Sequence, residues 1–366
     1  MRILFALQVP PPLNGSSMVG SIVKDLFEKT KNNKVESKFI NISLSDNGHE
    51  IGVFKFKKIF KLLRITYLVF FEILVFRPNR IYYAPTITGI GFRKDLINIL
   101  IIKTFKKSNS KIFYHLHNKG VSRNKNLLDS VLYRYFFKNT NVFLLSEKLY
   151  YDIKEYVPAK SVFILPNGIP DIGVISNKNF SNNNSCLVIG FLSNLLITKG
   201  IIYLLDSLIL LKSNNFKFKC IIAGNEADLS SSQLKDEIKK RNLLNEVEFL
   251  GCITGGEKLN FFKNLDVFVF PSFYTFECMP IVLLEAAAAG LPIITTNIGA
   301  TTDIIQNENG FLINPKDSES IFNAFKYIYS SPQIILEMGN KSRFNYENNF
   351  TIEIFKKNLF DNLIRN

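Results

Sequence analysis

Several residue types and patterns that would indicate particular kinds of site are scarce in this sequence of 366 residues. Its four cysteines are widely spaced and form no C-x-x-C pair, which excludes a zinc ribbon and gives no sign of a disulfide framework. No D-x-D triplet, a short acidic pattern able to bind a metal ion, occurs anywhere, and there are only three histidines. We therefore predict no metal site, and the cysteine usage predicts a reducing, cytoplasmic environment.

Long hydrophobic runs are also missing. The longest apolar stretch, Ile65 to Phe76, is about half the length of a membrane span and contains Glu72. The apolar run Ile3 to Leu7 is too short for the core of a signal peptide and is typical of a first β-strand. We expect a cytoplasmic chain that does not cross a bilayer.

Acidic residues are few in the first half of the chain. Residues 1–170 contain 27 Lys and Arg against 11 Asp and Glu, whereas the remainder contains 18 against 20. The whole basic excess therefore lies in the N-terminal half, which favours an anionic membrane surface or a nucleic acid as partner. No DNA- or RNA-binding motif accompanies this charge, so we predict no nucleic acid.

The chain is too long for one ordinary core, and strand-like apolar runs alternate with helical patterns, which predicts an α/β fold with parallel sheets. We predict a domain at 1–170, a second at 171–347, and a helical tail at 348–366. Predicted strands of the first domain are Arg2–Leu7, Lys38–Ile42, Arg80–Tyr83, Lys111–His115 and Val142–Leu145. Those of the second are Cys186–Leu192, Lys219–Ala223, Val247–Leu250, Val267–Phe270 and Pro292–Thr295, with a hairpin-like strand in Glu308–Pro315.

The most informative stretch carries two glutamates eight residues apart, Glu277 and Glu285. The first follows a buried-strand pattern, and the second lies in a predicted helix, Leu283 to Ala289, that Gly290 and Pro292 end. A place where a strand, a short loop and a helix N-terminus meet binds anions through free backbone N–H groups. Carboxylates beside such a phosphate site suit sugar or ribose hydroxyl groups.

This stretch resembles the E-x7-E motif of retaining glycosyltransferases of family GT4, which have the GT-B fold. Three further segments resemble motifs of that family in the same order, namely an N-terminal glycine loop, an inter-domain turn and a diphosphate-binding loop: Pro10–Gly15, Ile164–Ile169 and Gly190–Gly200. The resemblance implies two Rossmann-like domains that face each other across a cleft, with the C-terminal helix packed back on the first domain.

The resemblance also implies roles for individual residues. Glu277 would contact the donor sugar, Glu285 the ribose, and Lys199 the diphosphate of a nucleotide sugar. Backbone amides between the glutamates would hold sugar and diphosphate, and the segment concerned is Cys278, Met279, Pro280 and Ile281. Further donor-binding candidates are Gly15, Asn194, Asn225 and Ile253.

Asn194 and His117 occupy positions at which the family has characteristic residues. The family usually has an Arg five residues before the lysine, whereas this chain has Asn194, which removes one charge from the diphosphate site. His117 falls at the end of a predicted strand, where open α/β sheets place ligands, and resembles the family's active-site His. His115 better fits a core histidine, and Asp95 is a candidate for the acceptor side.

The segment that begins at Phe54 is basic and apolar at mixed helical spacing. It fits an amphipathic helix on a membrane surface or a core-facing helix with solvated lysines, and both interpretations stay open. The basic residues concerned are Lys57, Lys58, Lys61 and Arg64.

Together these observations predict a metal-independent retaining hexosyltransferase, peripheral on the inner face of the plasma membrane and without a cofactor. Its donor would be a nucleotide sugar, with UDP favoured over GDP, and its acceptor a lipid-linked glycan of bacterial surface polysaccharide. Alternatives are a GT-B sugar-nucleotide epimerase, a nucleic-acid-binding protein, or a non-catalytic subunit of the same fold.

Overall fold

Two six-stranded parallel sheets organise the chain in the computed structural model. The structure describes residues 1–11, 14–29, 35–45, 56–123, 126–173, 186–306 and 308–365. Their contacts divide the chain into a first unit, Met1–Asn167 with Glu353–Asn366, and a second unit, Gly168–Ile352. The predicted α/β class with two Rossmann-like parallel sheets is confirmed.

The first sheet has the strand order β2-β1-β3-β4-β5-β6. Its strands are β1 (Arg2–Leu7), β2 (Glu36–Asn41), β3 (Arg80–Tyr83), β4 (Lys111–Leu116), β5 (Asn141–Leu144) and β6 (Val162–Ile164). The helices that connect them are α1 (Gly15–Lys29), α2 (Phe56–Val75), α3 (Gly89–Phe105) and α4 (Leu127–Phe137). Most of these strands are buried on both faces, which is why they read as continuous apolar runs.

The second sheet has the order β12-β11-β10-β7-β8-β9. Its strands are β7 (Leu187–Leu192), β8 (Phe218–Ala223), β9 (Val247–Phe249), β10 (Val267–Phe270), β11 (Ile293–Thr296) and β12 (Gly310–Ile313). Its helices are α5 (Ile201–Ser213), α6 (Ser231–Lys240), α7 (Gly255–Lys263), α8 (Ile281–Ala288), α9 (Thr301–Ile304), α10 (Ser318–Ser330) and α11 (Ile334–Asn349). The chain ends in α12 (Ile352–Arg365).

Side-chain contacts show which helices cover each face of the first sheet. Leu4 and Tyr83 share a core with residues of α2, α3 and α4 such as Val69 and Ile99. On the opposite face the ring of Phe5 lies 4.6 Å from that of Phe27 in α1. Phe27 in turn stacks on Phe360 of α12 at 6.3 Å, so α1 and α12 share this second face.

One predicted strand pairing is wrong. The segment around β12 was expected to be hairpin-like, but β12 pairs parallel to β11, with Ile293 opposite Gly310 and Thr296 opposite Ile313. A glycine suits this edge, because a Cβ on Gly310 would collide with the carbonyl oxygen of Ile293. None of the helices that the structure describes is both long enough and apolar enough to cross a membrane.

Candidate active site

The order of the strands in the second sheet reverses between the parallel neighbours β7 and β10. From β7 the chain proceeds outward to β8 and β9, and from β10 outward to β11 and β12 on the other side. Open α/β sheets bind ligands outside the carboxyl ends of the strands at such a switch point. The loop after β7 carries Lys199 and the loop after β10 carries Glu277, so the sequence motifs fall at this place.

The loop after β7 is fixed by one glycine and by contacts with the loop after β10. It ends in a 3-10 turn, Ile197–Lys199, followed by Gly200 in the left-handed region with φ of 86°. A Cβ on Gly200 would collide with the carbonyl oxygen of Pro271. The amide of Phe273 donates to the carbonyl of Thr198 at 2.8 Å. The position of Lys199 is therefore set by backbone packing of the two loops.

Lys199 forms an ion pair with Glu277, and each side chain is only 13% exposed. The Lys199 ammonium also lies over two aromatic rings, 5.2 Å from the centre of Phe270 and 4.9 Å from that of Tyr274. Burial, and then the charge of Glu277, raises the pKa of the Tyr274 hydroxyl. These contacts hold a partly buried cation at the switch point, where an anionic ligand would meet it.

The loop that leads into α8 packs against a second glycine, Gly299, in the turn after β11. Gly299 has φ of 57°, and a Cβ there would collide with the carbonyl oxygens of Glu277 and Cys278. The amide of Ala300 donates to the Cys278 carbonyl at 2.6 Å. The carbonyls of Glu277 and Cys278 thus pack against the turn after β11. Gly299 was not predicted from the sequence, although the Gly-Ala pair after an apolar strand could have indicated a turn there.

The predicted amide segment leads directly into the first turn of α8. Cys278 and Met279 are buried, and Pro280 precedes the helix as its N-cap without a side-chain cap. The first N–H groups of a helix have no partner inside the helix, and they carry its positive end. Ile281 begins the helix, and the amide of Leu283 already donates to the Pro280 carbonyl at 3.1 Å. The amides of Ile281 and Val282 are therefore the ones that an anion at this helix start would meet.

Glu285 lies one turn further along α8 and is 6% exposed. Its Oε1 accepts from Lys258 Nζ of α7 at 2.6 Å. Burial raises the pKa of the Glu285 carboxyl, and the charge of Lys258 opposes that shift. Each of the two glutamates is therefore paired with a lysine, and the second lysine was not anticipated from the sequence.

The other donor-binding candidates lie in the loops after neighbouring strands. Asn194 and Asn225 are exposed, and the amide nitrogen of Asn225 donates to the Asn194 side-chain oxygen at 3.4 Å. Gly224 allows these loops to meet, because a Cβ there would collide with the carbonyl oxygen of Ser193. Ile253 follows β9 and is partly buried. All three candidates lie at the same sheet edge as Lys199.

In the first unit, the two strand-end histidines differ in their surroundings. His115 is fully buried on β4, and its Nδ1 lies 2.5 Å from the hydroxyl of Tyr82. His117 follows β4 with part of its surface exposed, its ring 4.1 Å from that of His115. Burial of the rest of the ring lowers the pKa of His117 to about 4. At neutral pH the imidazole of His117 is uncharged.

The loop that carries His117 is held by a buried carboxylate that sequence analysis missed. Asp152 is 4% exposed and accepts hydrogen bonds from the amides of Gly120, Val121 and Ser122 at 2.8, 3.1 and 3.0 Å. The Ser122 hydroxyl also donates to it at 2.8 Å. These four bonds fix the chain directly after His117.

The predicted glycine loop falls partly outside the described residues, because 12 and 13 are not among them. Gly15 is exposed and begins α1, where the Asn14 side chain accepts from the amide of Ser17 at 2.9 Å. Further along α1, Gly20 packs closely on the chain after β1, because a Cβ there would collide with the carbonyl oxygen of Gln8.

Asp95 is not placed to meet an acceptor. It is fully buried in α3, accepts from the hydroxyl of Tyr83 at 2.6 Å and from the amide of Thr86 at 2.8 Å, and lies 3.1 Å from Lys94. Its role is to fix the loop between β3 and α3.

Lys57, Lys58, Lys61 and Arg64 occupy the first half of α2, with Lys57 and Arg64 exposed and the other two partly exposed. The segment's first residues, 54 and 55, lie outside the described part of the chain. Within that described part, no group of three or more His, Cys, Asp or Glu is arranged to hold a metal ion.

Comparisons of the sequence and of the structure identify known proteins that this chain resembles. Residues 175–345 match the family model for glycosyl transferases group 1. The capsular polysaccharide biosynthesis glycosyltransferase CapM of Staphylococcus aureus is 25% identical over 236 residues, which are 61% of each chain. The UDP-Gal:alpha-D-GlcNAc-diphosphoundecaprenol alpha-1,3-galactosyltransferase of Escherichia coli is 30% identical over 216 residues, 55% of this chain and 53% of that protein.

These alignments cover less than two thirds of either relative. The fold comparison extends over the whole chain, because the structure of Anabaena HepE in complex with UDP matches with a TM-score of 0.77 and covers 100% of both chains at 16% identity. The family model therefore matches most of the second unit, and the structural likeness shows a two-domain α/β Rossmann-like GT-B fold.

Proposed function

We propose that the protein transfers a hexose from a nucleotide-diphosphate donor to a growing bacterial surface polysaccharide, with retention of anomeric configuration. The observation that carries the proposal is the partly buried Lys199–Glu277 pair at the switch point, close in sequence to the N-terminus of α8. The relatives named above, from capsule synthesis and a lipid-diphosphate-linked galactosyl transfer, support this class of acceptor.

In this proposal the donor diphosphate binds between Lys199 and the first amides of α8. Both are preorganised, because loop packing fixes the lysine and the helix fixes the amides, so they stabilise the charge that develops on the leaving group. The diphosphate would compete with Glu277 for the ammonium group of Lys199, while the lysine backbone stays in place. The Glu277 carboxylate is then available to a hydroxyl of the donor sugar. Glu277 orients the sugar and is not the nucleophile.

Front-face substitution fits these residues. The departing diphosphate oxygen takes the proton of the incoming hydroxyl, the new glycosidic bond forms on the same face, and the nucleoside diphosphate leaves. Lys199 supplies the positive charge that a metal ion supplies elsewhere, so we propose a metal-independent reaction. His117 stays a prediction for the donor sugar, and a UDP-sugar is the proposed donor class.

The test uses the purified protein, a UDP-sugar and a lipid-diphosphate-linked glycan. We expect a product one hexose longer, with the anomeric configuration of the donor when examined by nuclear magnetic resonance, and equal rates with and without a chelator. An inverted product would contradict the retaining mechanism. Interconversion of free nucleotide sugars without transfer would favour the epimerase alternative.

We also propose that the first unit binds an anionic membrane through the starts of α2, α3 and α4. Thr66 of α2 donates to Asn98 of α3 at 3.0 Å, and Arg93 of α3 is paired with Asp129 of α4, so the three helices pack in a row. Helices in βαβ units run antiparallel to the strands, which brings their N-termini to one edge of the sheet. Large apolar side chains more than 60% exposed lie at these starts: Phe56, Phe60, Leu63, Ile90, Leu127 and Leu128.

Basic residues accompany this apolar edge. Lys57, Lys58, Lys61 and Arg64 lie among the exposed apolar residues of α2, which is the composition of an interfacial helix. Each basic group near an anionic surface contributes about 1 kcal/mol. This surface would place the first unit on the membrane that holds a lipid-linked acceptor.

Vesicle co-sedimentation can separate the contribution of the basic residues to membrane binding from that of the exposed apolar residues. Replacing Lys57, Lys58 and Lys61 by Ser should reduce binding to vesicles that contain phosphatidylglycerol roughly a hundredfold, since three groups contribute about 3 kcal/mol. Phe60→Ser should weaken binding, whereas Phe344→Ser, an equally exposed phenylalanine of α11, is the control and should not. Unchanged binding by the triple variant would contradict the membrane role of α2.

A further inference from the structure

The two carboxylate oxygens of Glu285 differ in their hydrogen bonding. Oε1 accepts from Lys258 Nζ at 2.6 Å, whereas Oε2 is buried and has no hydrogen-bond partner among the described residues. A buried carboxylate oxygen without a partner is costly, and such a group normally needs an explanation. A ligand hydroxyl that donates to Oε2 would complete the site.

Lys258 comes from a different crossover connection and is held by the start of its own helix. α7 begins with a capping box, in which Thr254 and Glu257 satisfy each other's backbone N–H groups. Glu257, the neighbour of Lys258, is therefore engaged at the helix start, where it accepts from the amide of Thr254 at 3.3 Å. The Lys258 side chain is 26% exposed, against 9% for Glu285, so the lysine covers the carboxylate from the outer side.

We propose that Lys258 is a positioning residue for the nucleotide site. It holds Oε1 of Glu285, and so keeps Oε2 ionised and directed at a hydroxyl of the donor ribose. This inference rests on the proposed function, in which Glu285 contacts the ribose. It adds a residue that lies 27 positions before Glu285 and outside every sequence motif considered above.

The physical reason is the environment of α8. Burial disfavours the ionised form of Glu285, and the ammonium group of Lys258 offsets that effect at close range. Without Lys258, the carboxyl group is free to rotate and to take up a proton. A neutral, mobile carboxyl accepts a weaker hydrogen bond, and the loss falls on the ribose contact alone.

The test compares UDP with 2′-deoxy-UDP and 3′-deoxy-UDP by calorimetric titration. The wild-type protein should bind UDP about 10- to 100-fold more tightly than one of the deoxy forms, because a hydrogen bond to a charged group is involved. Lys258→Met should lose most of that ratio while its affinity for the deoxy form changes little. Lys258→Arg, which keeps the charge, should restore part of it.

Lys263→Met provides the matched control, since Lys263 is an exposed lysine at the other end of α7. It should keep the wild-type ratio. The ratio of two affinities does not depend on the fraction of folded protein, so partial unfolding of Lys258→Met does not obscure the result, and Lys258→Arg provides a second folded variant.

The outcomes are distinguishable. If the wild-type protein binds neither UDP nor GDP, the proposed function fails. If it binds and discriminates, but Lys258→Met keeps the full ratio or loses affinity for both forms equally, only the positioning role of Lys258 is refuted. In steady-state assays the proposed role predicts a raised KM for the donor at nearly constant kcat.

Discussion

Replacement of Lys199 by Met gives the sharpest mutational test of the proposed diphosphate site. The side chain is 13% exposed and is held by packing of two loops, so its loss removes a preorganised cation and not a mobile surface charge. Removal of one preorganised group that stabilises developing charge costs about 2.7–4 kcal/mol in the transition state. We therefore expect kcat to fall roughly 10²- to 10³-fold.

The same substitution also affects folding, and this effect can be separated from catalysis. Lys199→Met leaves the carboxylate of Glu277 without its cation at 13% exposure, which should cost about 1–3 kcal/mol of unfolding free energy. In the double variant Lys199→Met/Glu277→Gln no unpaired charge is left. Its unfolding free energy should recover most of the loss, whereas its turnover should not recover.

The assay is the initial rate of nucleoside diphosphate release, with urea unfolding measured on the same preparations. Lys212→Met is the control, because it breaks a different Lys–Glu ion pair of the second unit, between Lys212 of α5 and Glu246 before β9, which lie 2.8 Å apart. It should keep wild-type kcat. Wild-type turnover in either Lys199 variant would refute the reasoning and make the Lys199–Glu277 pair a purely structural feature.

Three further predictions concern the backbone, the histidines and the ribose contact. Gly200→Ala should destabilise the protein by more than the strain of about 1–2 kcal/mol expected for a left-handed residue. Gly251→Ala, also at positive φ but with open space around it, should cost only the strain in urea unfolding. The unfolding free energy should fall as the pH drops from 6.5 towards 4, because His117 takes up a proton in the unfolded chain but stays neutral in the folded one. His117→Gln should reduce this dependence of the unfolding free energy on pH. Glu285→Ala should weaken nucleoside diphosphate binding by about 1.5–3 kcal/mol in calorimetry, and unchanged affinity would remove it from the site.

The sequence predicted the strands best where both faces are buried. The bounds of β1, β3 and β10 are those predicted, because each is a short, mainly apolar run followed within three residues by a proline. β6 was missed, since it has only three residues and ends the sheet. The pairing of β12 was predicted wrongly because a helix and a loop separate β12 from its partner β11 in the sequence. Parallel strands are not joined by a tight turn, so no local turn pattern marks their pairing.

The loops of the candidate site were predicted because their motifs are local in sequence. The glutamates, the Lys-Gly turn and the strand ends each occupy a few consecutive residues, and parallel strands bring such ends to one edge. Contacts between distant segments were not predictable in this way. Lys258 meets Glu285 from a different helix, Asp152 reaches the loop after His117 from 30 residues away, and Gly299 accommodates carbonyls of a preceding loop.

The central claim is that the second unit binds a nucleotide diphosphate between Lys199 and the start of α8. The most direct measurement is thermal unfolding of the wild-type protein with a panel of UDP-, GDP- and ADP-sugars in the presence of a chelator, repeated with Lys199→Met. We predict that one donor class raises the Tm of the wild-type protein and raises that of the variant much less. If no nucleotide sugar raises the Tm, or if Lys199→Met responds as the wild-type protein does, the account is contradicted.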